Sequence, residues 1–372
     1  MGMSMPNAAS PGSEHSVPSA TEVSVSEGVD QSESWQELMR ALAQGKDLSP
    51  GQASWAMDCM MRGDVGGSQI GDFLVALQKK GVSGPELRAL ADTMVAHALS
   101  LVAPDGAVDI VGTGGDQAHT VNISTMAAIV VAACGIPVVK HGNRASTSRS
   151  GSADVLEALG VHLGLPVSDV ERIGHEVGIT FCFAQVFHPA MRHVSQVRRE
   201  LGIPTVFNIL GPMTNPARLR SIAVGAAHRR TAELMADVFA ARRTSALVFR
   251  GRDGLDEITV CDVTDIFEVR GGSITPHVFD PRDFGIPWVS SEALHGGSAQ
   301  DNAAVVREVF SGRVGAVRDA VQLNAAAGLV AAGAGGGVFQ DRFHAAFDRA
   351  GQAIESGDAQ RLLERWIQAS SA

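Results

Sequence analysis

The sequence is short of lysine. Four (Lys46, Lys79, Lys80 and Lys140) stand beside 26 arginines in 372 residues. The bias reads as codon composition, and it makes Lys140 conspicuous. Cysteine is equally scarce. Cys59, Cys134, Cys182 and Cys261 lie far apart with no C-x-x-C spacing, which excludes a zinc ribbon or a disulfide framework. They read as reduced core thiols of a cytoplasmic protein. No apolar run approaches the ~18 residues of a membrane span. Thirty basic side chains against forty acidic ones give a net charge of -10, which disfavours nucleic acid or an anionic membrane as main partner. Residues 1–34 hold no Lys or Arg and no apolar stretch, so they are neither a signal peptide nor a basic transit peptide. Rich in Ser, Pro, Gly and acids, they predict a disordered tail.

What is present supports a sizeable core, since 45% of residues are apolar and 19% charged. Segments 35–44, 51–62, 67–80 and 84–99 carry apolar residues at helical spacing, with breaks such as Ser49-Pro50-Gly51 between them. They predict a small all-helical domain over 35–103, which the helix 189–201 joins. Short helices of this kind need a partner surface. After Pro104 strand-like runs (107–111, 136–139, 179–183, 221–226, 245–249) alternate with helical ones (122–133, 153–159, 189–201, 230–242). Short antiparallel strands follow over 258–279, and helices from about 300. The alternation predicts a larger α/β domain over 104–372 with a mostly parallel central sheet.

In such sheets ligands bind at the carboxyl ends of strands. Two polar loops fall there. The first runs from Gly112 through Gly115, Asp116 and Thr120 to Asn122, Ile123, Ser124 and Thr125. Its glycines admit an anion close to the backbone, and the following helix start offers free N–H groups. Alone, it is equally a tight turn with ordinary cap residues. It matches neither G-x-G-x-x-G nor the P-loop pattern. The second loop is Lys140, His141, Gly142, Asn143, Arg144, Ala145, Ser146, Thr147 and Ser148, with Ser152 just beyond. Two cations, an imidazole, an amide and several hydroxyls suit a phosphate-rich ligand. Two such loops after successive strands favour a binding site over solvated polarity.

Helix 189–201 adds an arginine. With ~100° per residue, and Val194 at the centre of the apolar face, Arg198 lies about 40° away, while Arg192 and Arg199 point to the opposite side. An arginine on an apolar face takes a carboxylate, from the protein or from a ligand. Finally, Asp256 and Glu257 sit on a loop after a strand. Paired carboxylates there are solvated, or they hold Mg²⁺ beside substrate phosphates.

Together these stretches resemble the anthranilate phosphoribosyltransferases of tryptophan biosynthesis. The carriers are DIVGTGGD (109–116), TVNIST (120–125), VVKHGNR (138–144), SGSADVLEALG (150–160), FHPAMRHV (187–194), VRRELGIPTVFNILGPMTNPA (197–217) and GLDE (254–257), in that family's order and spacing. The resemblance spans residue 35 to the C-terminus. It implies transfer of the 5-phosphoribosyl group from PRPP to the amine of anthranilate, an active site in the cleft between a helical and an α/β domain, and a homodimer joined through the helical domain. It implies PRPP contacts from Gly112, Gly115, Asp116, Thr120, Asn122 to Thr125, Lys140 to Ser148, and Ser152. It implies anthranilate contacts from Gly112, Asn143 and Arg198. Two Mg²⁺ ions are implied, one touched by Ser124 and one held by Asp256 and Glu257. Gln185 stands where many relatives carry Pro, at the anthranilate entrance.

Two other readings share parts of this pattern. A pyrimidine nucleoside phosphorylase would use free phosphate without Mg²⁺ on a diphosphate, and the GLDE carboxylates and the NIST loop argue against it. A non-enzymatic nucleic-acid-binding relative would carry a basic groove and degraded loops, whereas this chain is acidic and every loop is intact.

Overall fold

A computed structural model describes residues 1–2, 34–145 and 149–372. Nearly all of the tail expected over 1–34, and the loop positions Ser146, Thr147 and Ser148, lie outside the described residues. Residues 34–372 form one compact unit.

Four helices come first: α1 (Trp35–Ala43), α2 (Pro50–Arg62), α3 (Gly67–Lys80) and α4 (Gly84–Ala96). Their starts are set by local chemistry. Ser34 and Ser49 each accept a backbone N–H, and Glu37 and Gln52 return the bond as capping boxes. Gly63 ends α2 in the left-handed conformation.

Strands and helices then alternate through β1 (Val108–Gly112), α5 (Ile123–Ala133), β2 (Val138–Gly142), α6 (Ser152–Leu159), α7 (Val167–Val177) and β3 (Ile179–Phe183). The short helix α8 (Ala184–Phe187) leads to α9 (Arg192–Leu201), α10 (Phe207–Leu210), β4 (Ser221–Gly225), α11 (Arg229–Arg242), β5 (Ser245–Gly251), β6 (Thr264–Arg270) and β7 (Ser273–Phe279). The chain closes with α12 (Ala299–Phe310), α13 (Ala316–Ala331), α14 (Phe339–Glu355) and α15 (Asp358–Ser371).

The seven strands form one sheet in the order β3-β2-β1-β4-β5-β6-β7. The first five are parallel, and β6 and β7 add an antiparallel edge. The mostly parallel sheet expected from the alternation is therefore present. Its order reverses between β1 and β4, and a topological switch point of this kind opens a crevice at the strands' carboxyl ends. On one face α5 and α13 are buried nearly all round, as a helix apolar on every side must be. On the other face one apolar cluster joins α1 to α4 with α9, α10, α11 and the near sides of β4 and β5.

Two local readings needed correction. The helix expected over 189–201 begins at Arg192, because Pro189–Met191 is a separate 3-10 turn, so the chain enters α9 through a bend. Helix α7, where no element was expected, buries Val170, Ile173 and Gly174 at helical spacing. All four cysteines are free, Cys59 and Cys182 buried and the other two half-buried.

Candidate active site

Gly112 ends β1 and Gly225 ends β4, directly opposite in register. A methyl group at Gly225 would overlap the main-chain carbonyl of Asp256, and one at Gly112 would overlap its carboxylate. These two bare positions let the Asp256-Glu257 segment lie across the switch point. Gly225→Ala therefore lowers the melting temperature and displaces both carboxylates. Gly164→Ala, where an added methyl meets nothing, leaves melting unchanged. Thermal melts of the two variants check this, and equal melting temperatures would refute the close approach.

The loop after β1 coils tightly. Gly114 and Gly115 have φ of 68° and 83°, as glycine permits, and Gln117 and His119 are also left-handed at 58° and 51°. Gly114 donates its N–H to Asp256 Oδ2 at 2.6 Å. Farther on, the loop is clamped to the chain before α12. Thr120 bridges His295, Val121 N–H donates to the Leu294 carbonyl, and Gly296 N–H to that of His119. Asn122 does not cap α5. Its Nδ2 donates to the Ser150 carbonyl at 3.1 Å, and its Oδ1 accepts from Asn302 at 2.8 Å. Asn122 thus ties the two predicted loops together.

At the first turn of α5, Ser124 N–H donates to Glu257 Oε1 at 3.1 Å. Glu257 Oε2 and Thr125 Oγ1 are buried with no hydrogen-bond partner among the described residues. Unpaired buried oxygens are rare in folded proteins and ask for a ligand. Burial and the neighbouring Asp116 carboxylate push Asp256 up to about 7. Burial and the Asp256 charge push Glu257 well above the usual carboxylate range. This crowding of negative charge suits a divalent cation. Among the described residues no three His, Cys, Asp or Glu side chains form a ready metal cage. Mg²⁺ needs none, since it takes one or two carboxylates beside waters and phosphate oxygens.

Lys140 is buried below this group. Its ammonium donates to the Ile110 carbonyl and to Ser124 Oγ, the latter at 3.2 Å. Burial lowers its pKa, while Asp109, Glu257 and Asp256 oppose that by their charge. Lys140 is thus a buried counter-charge to the carboxylates. Asp109, to which sequence reasoning gave no role, is the acid whose charge acts on it most strongly. It accepts the His141 N–H at 3.1 Å and Asn215 Nδ2 at 2.9 Å, and burial pushes it up to about 6. Within an apolar strand pattern it carries no periodic signal, so only the tertiary structure reveals it.

His141 Nδ1 lies 3.1 Å from the Gly211 carbonyl, and its ring packs 5.1 Å from that of His188. Burial, with His188 adding to it, lowers His141 to about 3; burial lowers His188 to about 4. Both rings stay neutral near pH 7. In the unfolded chain a histidine takes a proton near pH 6.5, so acid favours unfolding here. The stability these neutral rings contribute is complete above pH 6.5 and is lost as pH falls through about 4 for His188 and about 3 for His141. Melting temperature should drop over that window, and His188→Gln should flatten the drop. An unchanged profile in the variant would contradict the assignment.

The rest of the second loop is held by α6. Asp154 accepts the N–H groups of Ala145 and Gly151 at 2.9 and 2.8 Å. Arg144 pairs with Asp154 and Glu157. Ser152 Oγ donates to the Asn143 carbonyl at 3.4 Å, and Asn143 Oδ1 accepts from Gln185 Nε2 at 3.5 Å. Gln185 therefore touches the residue expected to meet the acceptor.

Helix α9 packs on α2 and α3 with Val194 and Val197 buried, while Arg192 and Arg199 are exposed. Arg198 lies half-buried over the Phe207 ring at 5.4 Å, without a carboxylate partner among the described residues. The segment 207–213 touches both Arg198 and His141, which sets Arg198 toward the end of β2.

Comparison with known proteins gives a consistent picture. Residues 104–360 match a family described as "Glycosyl transferase family, a/b domain", and 36–98 match its helical bundle domain. The chain is 54% identical over 334 residues to the anthranilate phosphoribosyltransferase of Arthrobacter sp., covering 90% of this chain and 95% of that one. The crystal structure of the Thermus thermophilus anthranilate phosphoribosyltransferase superposes with a TM-score of 0.84 at 39% identity, over 90% of this chain and 99% of that one. The Saccharomyces cerevisiae enzyme, solved in complex with PRPP and Mg, superposes with a TM-score of 0.82 at 27% identity, over 91% and 98%.

Proposed function

The chain belongs to the anthranilate phosphoribosyltransferase family, and from that premise we propose how its residues divide the reaction. It transfers the 5-phosphoribosyl group of PRPP to the amine of anthranilate, giving N-(5-phosphoribosyl)anthranilate and diphosphate in tryptophan biosynthesis. The observation that carries the reading of the site is the convergence at the β1–β4 switch point. There the glycine loop, the first turn of α5 and the Asp256–Glu257 pair meet, with Glu257 Oε2 unpaired.

In this reading Gly112, Gly115, Asp116, Thr120 and Asn122 to Thr125 cradle PRPP. Residues 140 to 148, with Ser152, surround its phosphates, Lys140 from the buried side. Asp256 and Glu257 hold one Mg²⁺, and Ser124 touches a second. When bound, the metal supplies a Lewis acid that neutralises charge gathering on the leaving diphosphate. Lys140, behind Ser124, offsets the negative charge of the two carboxylates. Gly112, Asn143 and Arg198 place anthranilate, with Arg198 taking its carboxylate.

The amine nitrogen then bonds to the anomeric carbon as the bond from that carbon to the diphosphate oxygen breaks, and the diphosphate leaves with the electron pair. The aromatic amine is neutral at pH 7, so attack needs no prior deprotonation. With His141 lowered to about 3 by burial, water is the better acceptor of the proton released after attack. Holding donor and acceptor in line supplies several kcal/mol of the rate acceleration.

Two further features belong to the same reading. A groove between α1, α3 and α9, walled by Met39, Leu42, Gly71, Val75 and Leu201, supports a homodimer through the helical bundle. A cytoplasmic location fits the free cysteines. No helix among the described residues is long and apolar enough to cross a membrane.

The deciding experiment follows anthranilate fluorescence with purified protein, PRPP and Mg²⁺, with and without EDTA. Loss of signal that needs both PRPP and metal supports the assignment. A folded protein that binds PRPP yet leaves anthranilate unconsumed would refute the acceptor.

A further inference from the structure

At the opposite end of the strands from the catalytic loops lies a cavity of about 740 Å³, bordered by α4, the start of β4 and the end of α11. Five arginines line it: Arg88, Arg218, Arg220, Arg242 and Arg243. Asp92 and Asp109 are its acids. Asp92 is taken by Arg88 and Arg242, at 3.4 and 2.6 Å. Asp109 is taken by Asn215 and the His141 N–H. Arg218, Arg220 and Arg243 have no carboxylate partner among the described residues.

Cations are ordinary at a helix C-terminus, and that accounts for Arg242 and Arg243 at the end of α11. It does not account for Arg218 and Arg220, which lie on no helix. Arg218 and Arg243 are also left-handed, with φ of 49° and 57°, where turns and helix ends usually place glycine or asparagine. Glycine there would remove two guanidinium groups from the cavity wall.

We propose that this cavity binds a small multivalent anion bearing phosphate or carboxylate groups, and that its occupancy is felt at the active site. Planar guanidinium groups grip either group through paired N–H donors, and the volume suits a small metabolite. The chain carries a net charge of -10, so its overall charge does not concentrate anions, and saturable uptake must come from a local site.

The connection to the active site runs through Asn215. Its Oδ1 accepts the Ala217 N–H at 3.0 Å, and its carbonyl accepts the Arg218 N–H at 3.1 Å, which shapes the turn presenting Arg218. Its Nδ2 donates to Asp109 Oδ2 and to the Val139 carbonyl, both at 2.9 Å. Asp109 in turn holds His141, next to Lys140. An anion that draws Arg218 inward therefore pulls on the hydrogen bonds that seat β2 behind the PRPP cradle. The coupling is reciprocal, so PRPP must alter anion affinity by the same factor.

The test titrates the full chain calorimetrically with sodium citrate and, separately, with sodium phosphate, at constant ionic strength balanced with chloride. The comparison is Arg218→Ala/Arg220→Ala, which changes two exposed side chains and whose melting temperature verifies folding. Saturable binding that weakens about tenfold or more in the variant supports the site. Citrate alone assigns the polycarboxylate class, and phosphate alone the phosphate class. Without added anion, the kinetics of the variant match the parent. With it, the PRPP KM shifts in the parent only. Equal affinity in both proteins, or no saturation by either probe up to about 10 mM, overturns the site. Binding without a KM shift overturns the coupling. Because heat is the readout, failure here is separate from failure of phosphoribosyl transfer.

Discussion

Arg198→Ala is expected to raise the KM for anthranilate by about ten- to a hundredfold, with the PRPP KM little changed. A hydrogen bond to a charged group is worth about 1.5–3 kcal/mol, and each 1.4 kcal/mol is a factor of ten. Arg198 is half-buried over Phe207, and the cause of its lowered pKa is burial alone, with no acid to offset it. The fold thus carries the cost of a partly desolvated cation without a protein partner to offset it. A ligand carboxylate would complete the pair. Arg198→Lys should recover part of the loss, because an ammonium keeps the charge but not the planar fork. Steady-state kinetics with each substrate varied in turn decide the matter. An unchanged anthranilate KM in Arg198→Ala would remove the residue from the acceptor site.

The second large effect concerns the carboxylate pair. Asp256→Asn and Glu257→Gln are each expected to raise the Mg²⁺ concentration for half-maximal activity by about one to two orders of magnitude. Each substitution keeps the shape of the side chain and removes the charge. Glu257→Gln should also remove the repulsion that Glu257 meets from Asp256 and Asp116 in its buried setting. The metal-free variant is therefore expected to melt no lower than the parent, even as activity at low Mg²⁺ falls. Activity titrations against Mg²⁺ at saturating PRPP, alongside melts in EDTA, separate the two effects. Unchanged Mg²⁺ dependence in both variants would refute the metal assignment.

How much of this was legible beforehand differs by element. The four N-terminal helices and the five parallel strands show in the sequence because their apolar spacing and glycine breaks are local. The placement of Arg198 followed from helical geometry, since Val194, Arg192 and Arg199 fall where ~100° steps put them. The strand order did not follow, because pairing of β1 with β4 joins residues more than a hundred positions apart. Asp109 was missed because one acid inside an apolar strand has no periodic mark. Its partner Asn215 lies in a turn whose polarity is ordinary. Asn122 looked like a helix cap, yet its bonds go to Ser150 and Asn302, the latter contributed by a helix far along the chain. Local pattern identifies which residues are unusual, and only tertiary contact says what they hold.

The two glycines that face each other at the ends of β1 and β4 also bear on how this catalyst can change. At these two positions the floor of the site is bare main chain, with no side chain to exchange. A substitution there collides with Asp256 rather than adjusting a preference. The acceptor half proposed above draws on side chains, among them Arg198, and Asn143 with its neighbour Gln185. Selection, natural or in the laboratory, can therefore alter which amine is accepted while the phosphoribosyl donor stays the same.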